Sequence, residues 1–427
     1  MNIVVIGGGY VGLVTGTCLA DIGHRVTIVD INEERITELR NGYVPIYEPG
    51  LEELIVKNVE RELLAFDTKI PSLENIQFVF IAVGTPQHPT GHVDCNHVFQ
   101  AAHDIAQKLA GHTVVVIKST VPPGTAKQVK NILNDRKASE ATFSIVSNPE
   151  FLKEGDAVRD FMKPDRIIIG TERYSNGTAA AIEKLYQPIL RHVGRVLVMS
   201  NESAELAKYA TNGMLATRVS FMNEMSRIAD AVGADIDDVR QVVGSDSRIG
   251  DRFLFAGPGW GGSCWPKDIK GLVALAEAKQ IWMPLLSSAL VTNQLQTDYL
   301  ITKIPISNKI AIWGLAFKPG TNDTRESPTL RVIDTLAASR IAVYDPKAYI
   351  EPLDVWNRVE QVETAYEAAK DADCLLLMTE WSEFKHPNWT YLKQIMAPNA
   401  TVLDSRNLWD PDDVKSHGFK YVGMGRS

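Results

Sequence analysis

The sequence predicts an α/β protein of two doubly wound domains joined by a long central helix, and three observations carry that prediction. The chain opens as strand, glycine-rich turn, helix and a second strand ending in an acid. The same strand-into-glycine and strand-into-acid signals return after residue 306. Between them lies a proline-free run, Ser203 to Val232, whose apolar residues recur at helical spacing. At 427 residues the chain exceeds one ordinary core, so two or three domains are expected.

The opening run Ile3 to Ile6 reads as a buried parallel strand. Gly7-Gly8-Gly9-Tyr10-Val11-Gly12 follows, then a helical stretch from Leu13 to Ile22. This is G-x-G-x-x-G in its required setting: Gly7 for the tight turn, Gly9 for close approach of a pyrophosphate, Gly12 for helix-to-strand packing. The next strand, Arg25 to Asp30, ends in an acid placed to accept from ribose hydroxyls. Arg35 just beyond it could receive a ribose phosphate, but the Asp30 carboxylate would repel one, so NAD is favoured over NADP. Ile31 to Leu64 reads as mostly helical, broken at 42–50 by Pro45 and Pro49.

Further strands are expected at Phe78–Val83, Thr113–Ser119, Phe143–Ser147, Arg166–Ile169 and Arg195–Met199, with helices at Thr125–Leu133 and Thr178–Leu190. Gly84-Thr85-Pro86 and Thr120-Val121-Pro122-Pro123-Gly124 close the carboxyl ends of two strands, where ligands of open α/β sheets bind. Glu150 and Glu154 would share a face if their segment is helical. The cluster His88, His92, Cys95, His97 and His103 fits no standard zinc spacing, and no metal is expected.

The long central run has Ser203 as a candidate cap and places Lys208 and Asn212 one turn apart. A long, apolar-faced connecting helix suits core or dimer interface, so a homodimer is expected. Beyond it, Gly257-Pro258-Gly259-Trp260-Gly261-Gly262-Ser263-Cys264-Trp265-Pro266-Lys267-Asp268 sets one cysteine among four glycines, with a cation and a carboxylate within four residues. That is nucleophile chemistry in outline, although the spelling equally fits a glycine-rich surface turn. Helices at Ile269–Ala278 and Pro284–Ile304 come next. The second doubly wound domain then starts with Lys309 to Gly314 and carries later strands at Arg340–Asp345, Cys374–Met378 and Thr401–Asp404. It lacks the full glycine motif and has Lys318 at its first strand's end, which suits the phosphate of a different nucleotide. The expected division is a Rossmann-like domain over 1–200, a central helical domain with the cysteine loop over 201–305, and a second Rossmann-like domain over 306–427.

Composition bounds the partners. A net charge of −8 and a pI near 5.7 argue against nucleic acid or an anionic membrane as a bulk partner. Four scattered cysteines, Cys18, Cys95, Cys264 and Cys374, make no disulfide framework, and the chain starts without a leader-like segment. A soluble cytoplasmic protein is expected.

Seven ordered motifs together resemble the nucleotide-sugar dehydrogenases of the UDP-glucose/GDP-mannose dehydrogenase family, nearly end to end. They are Gly7 to Gly12 with Asp30, Gly84-Thr85-Pro86, Ser119 to Gly124, Asn148 to Gly155, Glu205 to Lys208 with Asn212, Gly261 to Asp268, and Lys318 with Asp323 to Ser327. Trp260 and Trp265 depart from the family's usual phenylalanine or tyrosine while keeping aromatic character. The resemblance implies oxidation of UDP-glucose to UDP-glucuronate by two NAD molecules and a water. It implies Cys264 as nucleophile, Lys208 and Asn212 as oxyanion stabilisers, and Asp268 and Glu150 for proton transfer, their division left open. It assigns Val11, Asp30, Arg35, Thr85, Thr120, Glu154, Lys267 and Arg325 to NAD. To the UDP-sugar it assigns Glu150, Phe151, Leu152, Lys208, Asn212, Phe253, Leu254, Phe255, Ala256, Gly257, Gly261, Lys318 and Arg406, with Arg248 reaching across a dimer. Two alternatives stay open: a sister enzyme acting on GDP-mannose or UDP-N-acetylmannosamine, and a non-catalytic NAD-sensing scaffold.

Overall fold

The computed structural model describes residues 1–138, 140–172, 176–191, 194–336, 340–350 and 357–426. The chain divides into two compact units, Met1–Thr211 and Asn212–Ser427.

The first unit is built on eight strands: β1 (Asn2–Ile6), β2 (Arg25–Val29), β3 (Leu64–Asp67), β4 (Phe78–Ile81), β5 (His112–Ile117), β6 (Thr142–Ser147), β7 (Ile167–Thr171) and β8 (Val196–Ser200). Their order across the sheet is β3-β2-β1-β4-β5-β6-β7-β8, and every pairing is parallel except β6 with β7. Helices α1 (Tyr10–Asp21), α2 (Glu33–Arg40), α3 (Leu51–Glu60), α4 (Asn96–Lys108), α5 (Thr125–Arg136), α6 (Ala157–Met162) and α7 (Asn176–Leu190) connect them. Strand β1 shows why its sequence is continuously apolar: Ile3 and Val5 enter the core under α1, while Val4 and Ile6 enter the core on the opposite face with α4 and α5.

A 32-residue helix, α8 (Asn201–Val232), carries the chain into the second unit. There follow α9 (Ile236–Ser245), α10 (Trp265–Ala278) and α11 (Pro284–Lys303). The second sheet comprises β9 (Lys309–Trp313), β10 (Arg340–Tyr344), β11 (Val359–Gln361), β12 (Cys374–Leu377), β13 (Thr401–Asp404) and β14 (Lys420–Gly423), with α12 (Pro328–Thr335), α13 (Ala365–Ala369), α14 (Trp389–Ile395) and α15 (Pro411–Ser416) between them. It is parallel throughout, in the order β11-β10-β9-β12-β13-β14, which repeats the arrangement of the first six strands of the first unit.

Four local expectations are corrected. Leu64–Asp67 is strand β3 where the sequence read as the end of a helical stretch; Leu64 and Phe66 are buried around an exposed Ala65, an alternation too short to register beforehand. Residues 148–156 are not helical, so Glu150 and Glu154 share no helix face. Helix α8 starts at Asn201, and the Ser200 hydroxyl, in place of Ser203's, accepts from the Ser203 amide at 3.2 Å. Helix α10 starts at Trp265, directly after Cys264, because Pro266 is tolerated in a first turn where its missing N–H would have no helical partner.

Candidate active site

In the first unit the glycine turn closes β1 onto α1. A side chain at Gly12 would lie 1.8 Å from the Gly7 carbonyl, so only glycine lets the helix start here. A Cβ at Gly9 would meet no protein atom and would project into the space at the head of α1. No side chain caps that helix and no acid stands in its first turn, which leaves its amides and its positive dipole end facing outward. These features fit a dinucleotide pyrophosphate. Asp30 accepts from the Gly8 amide at 2.6 Å and from Arg35 at 3.1 Å, so the acid and the arginine form one pair beside the turn. Thr85 and Thr120, at the ends of β4 and β5, are joined by a hydrogen bond from the Thr85 hydroxyl to the Thr120 carbonyl at 3.0 Å.

Beyond β6 lies a buried charge cluster. Lys208 of α8 pairs with Glu150 at 2.9 Å, both nearly inaccessible to water. Burial pushes the Glu150 carboxyl upward, yet the Lys208 charge and hydrogen bond, the Leu152 amide and Lys118 together outweigh it and hold the group below its ordinary range. Lys118, also buried, donates to the Asn148 side-chain oxygen at 3.1 Å, and the Tyr186 hydroxyl donates to the same oxygen at 2.7 Å. Burial lowers the Lys118 ammonium to about 8, against the opposing pull of Glu150. Phe151 is stacked by the Arg166 guanidinium at 4.0 Å and faced by Lys208 at 5.2 Å. Glu205, one turn before Lys208, accepts from the Gly124 and Ala126 amides at 2.7 and 2.9 Å and from Ser147 at 3.1 Å, which fixes the start of α8 against the Thr120 loop.

In the second unit Cys264 stands at the head of α10 with its side chain exposed, whereas Cys18, Cys95 and Cys374 are buried. One turn on, the buried Asp268 carboxylate accepts from Asn212 at 2.7 Å and from Lys267 at 2.6 Å. The loop before Cys264 is pinned: the Gly262 amide donates to the Arg325 carbonyl at 3.0 Å, and a Cβ at Gly261 would lie 2.2 Å from the Glu326 carbonyl. Trp265 packs on Phe253 and Trp260, at ring separations of 5.9 and 6.1 Å. Arg406 donates to the Met378 carbonyl at 2.7 Å and the Phe317 carbonyl at 3.1 Å, and its guanidinium lies near Gly257. Gly257, Gly261 and Arg406 thus lie with the backbone of Arg325 and Glu326 around Phe317, whose ring Lys318 faces at 5.7 Å, while the Arg325 guanidinium is exposed and clasped by Asp323.

Other expected residues sit apart. Arg248 is 87% exposed and clasped by Asp246 at 2.6 Å. Phe255 is exposed under Arg240, while Leu254 and Ala256 point into a small core with Met222 and Ile236. Asp345 repeats the position of Asp30 but accepts from Leu315, Ala316, Lys347, Ala348 and Trp381, so its oxygens are consumed internally. The histidine cluster splits, with His97 and His103 on α4, and among the described residues no set of three potential ligands could hold a metal ion. Sequence reading passed over Glu48, Lys118 and Tyr186. None has a spacing signal, and their burial is a tertiary property.

Three family models match in order: the UDP-glucose/GDP-mannose dehydrogenase NAD binding domain over 1–190, the central domain over 202–295 and the UDP binding domain over 311–411. The chain belongs to the UDP-glucose/GDP-mannose dehydrogenase family. Like other members of this family it is an NAD-dependent oxidoreductase with a nucleotide-sugar dehydrogenase function. It is 40% identical to a UDP-glucose 6-dehydrogenase of Rhizobium meliloti (strain 1021), covering 100% of both chains. It is 41% identical to the UDP-glucose 6-dehydrogenase TuaD of Bacillus subtilis (strain 168), covering 100% of this chain and 93% of that one. A solved UDP-glucose dehydrogenase from the archaeon Pyrobaculum islandicum superposes with a TM-score of 0.90 at 32% identity, covering 100% of this chain and 98% of that chain. Among the described residues no helix is long and apolar enough to cross a membrane.

Proposed function

We propose that this family member oxidises UDP-glucose to UDP-glucuronate, with Cys264 as a covalent nucleophile. The observation that carries the reading is the setting of Cys264: the exposed thiol of the four, at a helix N-terminus that favours thiolate, one turn from a buried carboxylate. Burial pushes the Cys374 thiol up to about 12 and the Cys18 thiol higher still, so neither serves this role.

NAD, when bound, accepts the hydride. The protein's residues do the rest. The first oxidation leaves an aldehyde; the Cys264 sulfur adds to its carbonyl carbon, and the oxygen takes a proton to give a thiohemiacetal. Loss of the hydroxyl proton together with hydride from that carbon yields a thioester, and water attacks it to release the acid and the thiol. Lys208 and Asn212 suit stabilisation of the oxyanion that develops in the addition and hydrolysis steps. Asp268, held in place by Asn212 and Lys267, suits taking the thiol proton, and Glu150, kept as carboxylate by Lys208, suits accepting a proton from the water. The NAD assignments (Val11, Asp30, Arg35, Thr85, Thr120, Glu154, Lys267, Arg325) and the UDP-sugar assignments follow the same reading, as does the division at 1–200, 201–305 and 306–427.

Substrate choice is supported by the relatives' names, whereas Arg406 beside Gly257 suits the pyrophosphate that all three candidate sugars share. A side-by-side assay tests it. UDP-glucose should give NADH fastest, two per sugar, with little from GDP-mannose or UDP-N-acetylmannosamine; faster turnover of either alternative overturns it. A homodimer is also proposed, because Met214, Phe221 and Ile228 stand exposed at seven-residue spacing along α8.

A further inference from the structure

Glu48 is a buried carboxylate that the proposed chemistry does not use. It comes from the Pro45–Pro49 loop ahead of α3, and one of its oxygens accepts from the Gly155 amide at 2.6 Å. The other accepts from the Ala157 amide at 2.7 Å and the Val158 amide at 3.4 Å. The Tyr10 hydroxyl donates to the first of these oxygens, the one that Gly155 reaches, and Gly155 also donates to the Tyr10 oxygen at 3.1 Å. Tyr10 is the first residue of α1, inside the glycine turn. Gly155 ends the irregular segment that bears Glu150, Phe151, Leu152 and Glu154, and its positive φ of 83° makes that end a defined bend. Burial and Glu48 both push the Tyr10 phenol far up, so it stays a donor.

We propose that Glu48 is a positioning residue: its carboxylate fastens the 150–155 segment to the head of α1 through Tyr10, so that filling of the dinucleotide turn and placement of Glu150 and Glu154 are coupled. A surface loop needs no buried anion to hold it, and an unpaired carboxylate here would be costly. Four donors from two functional segments meeting on one side chain give the charge a geometric task. The inference rests on the reading that this segment serves the dehydrogenase site.

The test uses Glu48→Gln and Tyr10→Phe in the full chain. In Glu48→Gln one acceptor oxygen becomes an N–H donor, so a buried amide faces another donor and the segment shifts. Misplacement of this kind should lower kcat about 10²-fold and weaken NADH about tenfold. NADH affinity is read from the dinucleotide's own fluorescence without sugar. Tyr10→Phe keeps every amide bond to Glu48 and should fold; it should lower kcat about tenfold and weaken NADH about threefold. Kinetics and NADH affinity within about twofold of wild type in Tyr10→Phe, or a lower melting temperature in Glu48→Gln with unchanged kcat, overturns the proposal. If Glu48→Gln fails to fold, Tyr10→Phe decides. Because the NADH arm needs no sugar, a failed UDP-glucose assignment leaves this result readable.

Discussion

Glu150→Gln removes the carboxylate that faces both Lys208 and Lys118 while keeping its shape. Lys208 lies 2.9 Å from it and neither side chain is more than 6% exposed, so the variant removes a carboxylate from a buried ion pair. Breaking such a pair costs about 3–5 kcal/mol at neutral pH. Lys118 limits the loss. Burial holds the Lys118 ammonium down to about 8 against the pull of Glu150, so without Glu150 it falls lower and the ammonium sheds its proton more readily. A lysine with a lowered folded pKa makes stability rise with pH above that pKa. The variant therefore recovers first, and its deficit against wild type narrows as pH rises towards about 8, above which Lys118 is neutral in both. All eight tryptophans lie in the second unit, so tryptophan fluorescence during urea unfolding reports that unit, while far-ultraviolet circular dichroism sees both. The dichroism transition that has no fluorescence counterpart should carry the shift. A deficit below about 1 kcal/mol, or one that widens with pH, refutes the reasoning.

Three further outcomes are expected. Asp30→Asn releases Arg35 from its carboxylate partner and removes a charge that repels a ribose phosphate, so the NADP-to-NAD ratio of kcat/KM should rise about tenfold or more; an unchanged ratio places cofactor choice elsewhere. Burial raises the Glu205 carboxyl from 4.5 to about 7, against the Ala126 and Gly124 amides and the Ser147 hydroxyl, so its contribution is complete below the lower value and lost as pH rises through the upper one. Stability should fall by roughly 3 kcal/mol across that window in wild type and by clearly less in Glu205→Gln, measured by chemical denaturation. Phe221→Glu with Ile228→Glu, on the exposed stripe of α8, should halve the mass seen by light scattering; an unchanged mass rejects that face as the dimer contact.

What the sequence made legible was whatever recurs at short range. The strand, Gly7 to Gly12, helix and Asp30 appear where the pattern put them, because turn sterics and pyrophosphate approach act over a few residues. The echo at Gly314 and Asp345 was equally visible, but the internal saturation of Asp345 was not, since its donors come from 315, 316, 347, 348 and 381. Glu48 illustrates the limit: its donors lie at least 38 residues away, and no local spelling separates it from a solvated loop acid. Lys118 read as the end of a strand, and only the packing of Asn148, Tyr186 and Glu150 around it makes it a buried cation. Helix α10 starts four residues ahead of the expected Ile269 because a proline at Pro266 is compatible with a first helical turn.

The central claim, that Cys264 carries the acyl group, is tested most directly by Cys264→Ala. Quantifying UDP-glucuronate by chromatography, beside NADH affinity measured by fluorescence, separates chemistry from cofactor binding. On the proposed route the thiol takes part in the covalent steps alone, so acid formation should vanish while NADH binding stays within about twofold of wild type. Acid formation at the wild-type rate would contradict the account and place the nucleophile elsewhere.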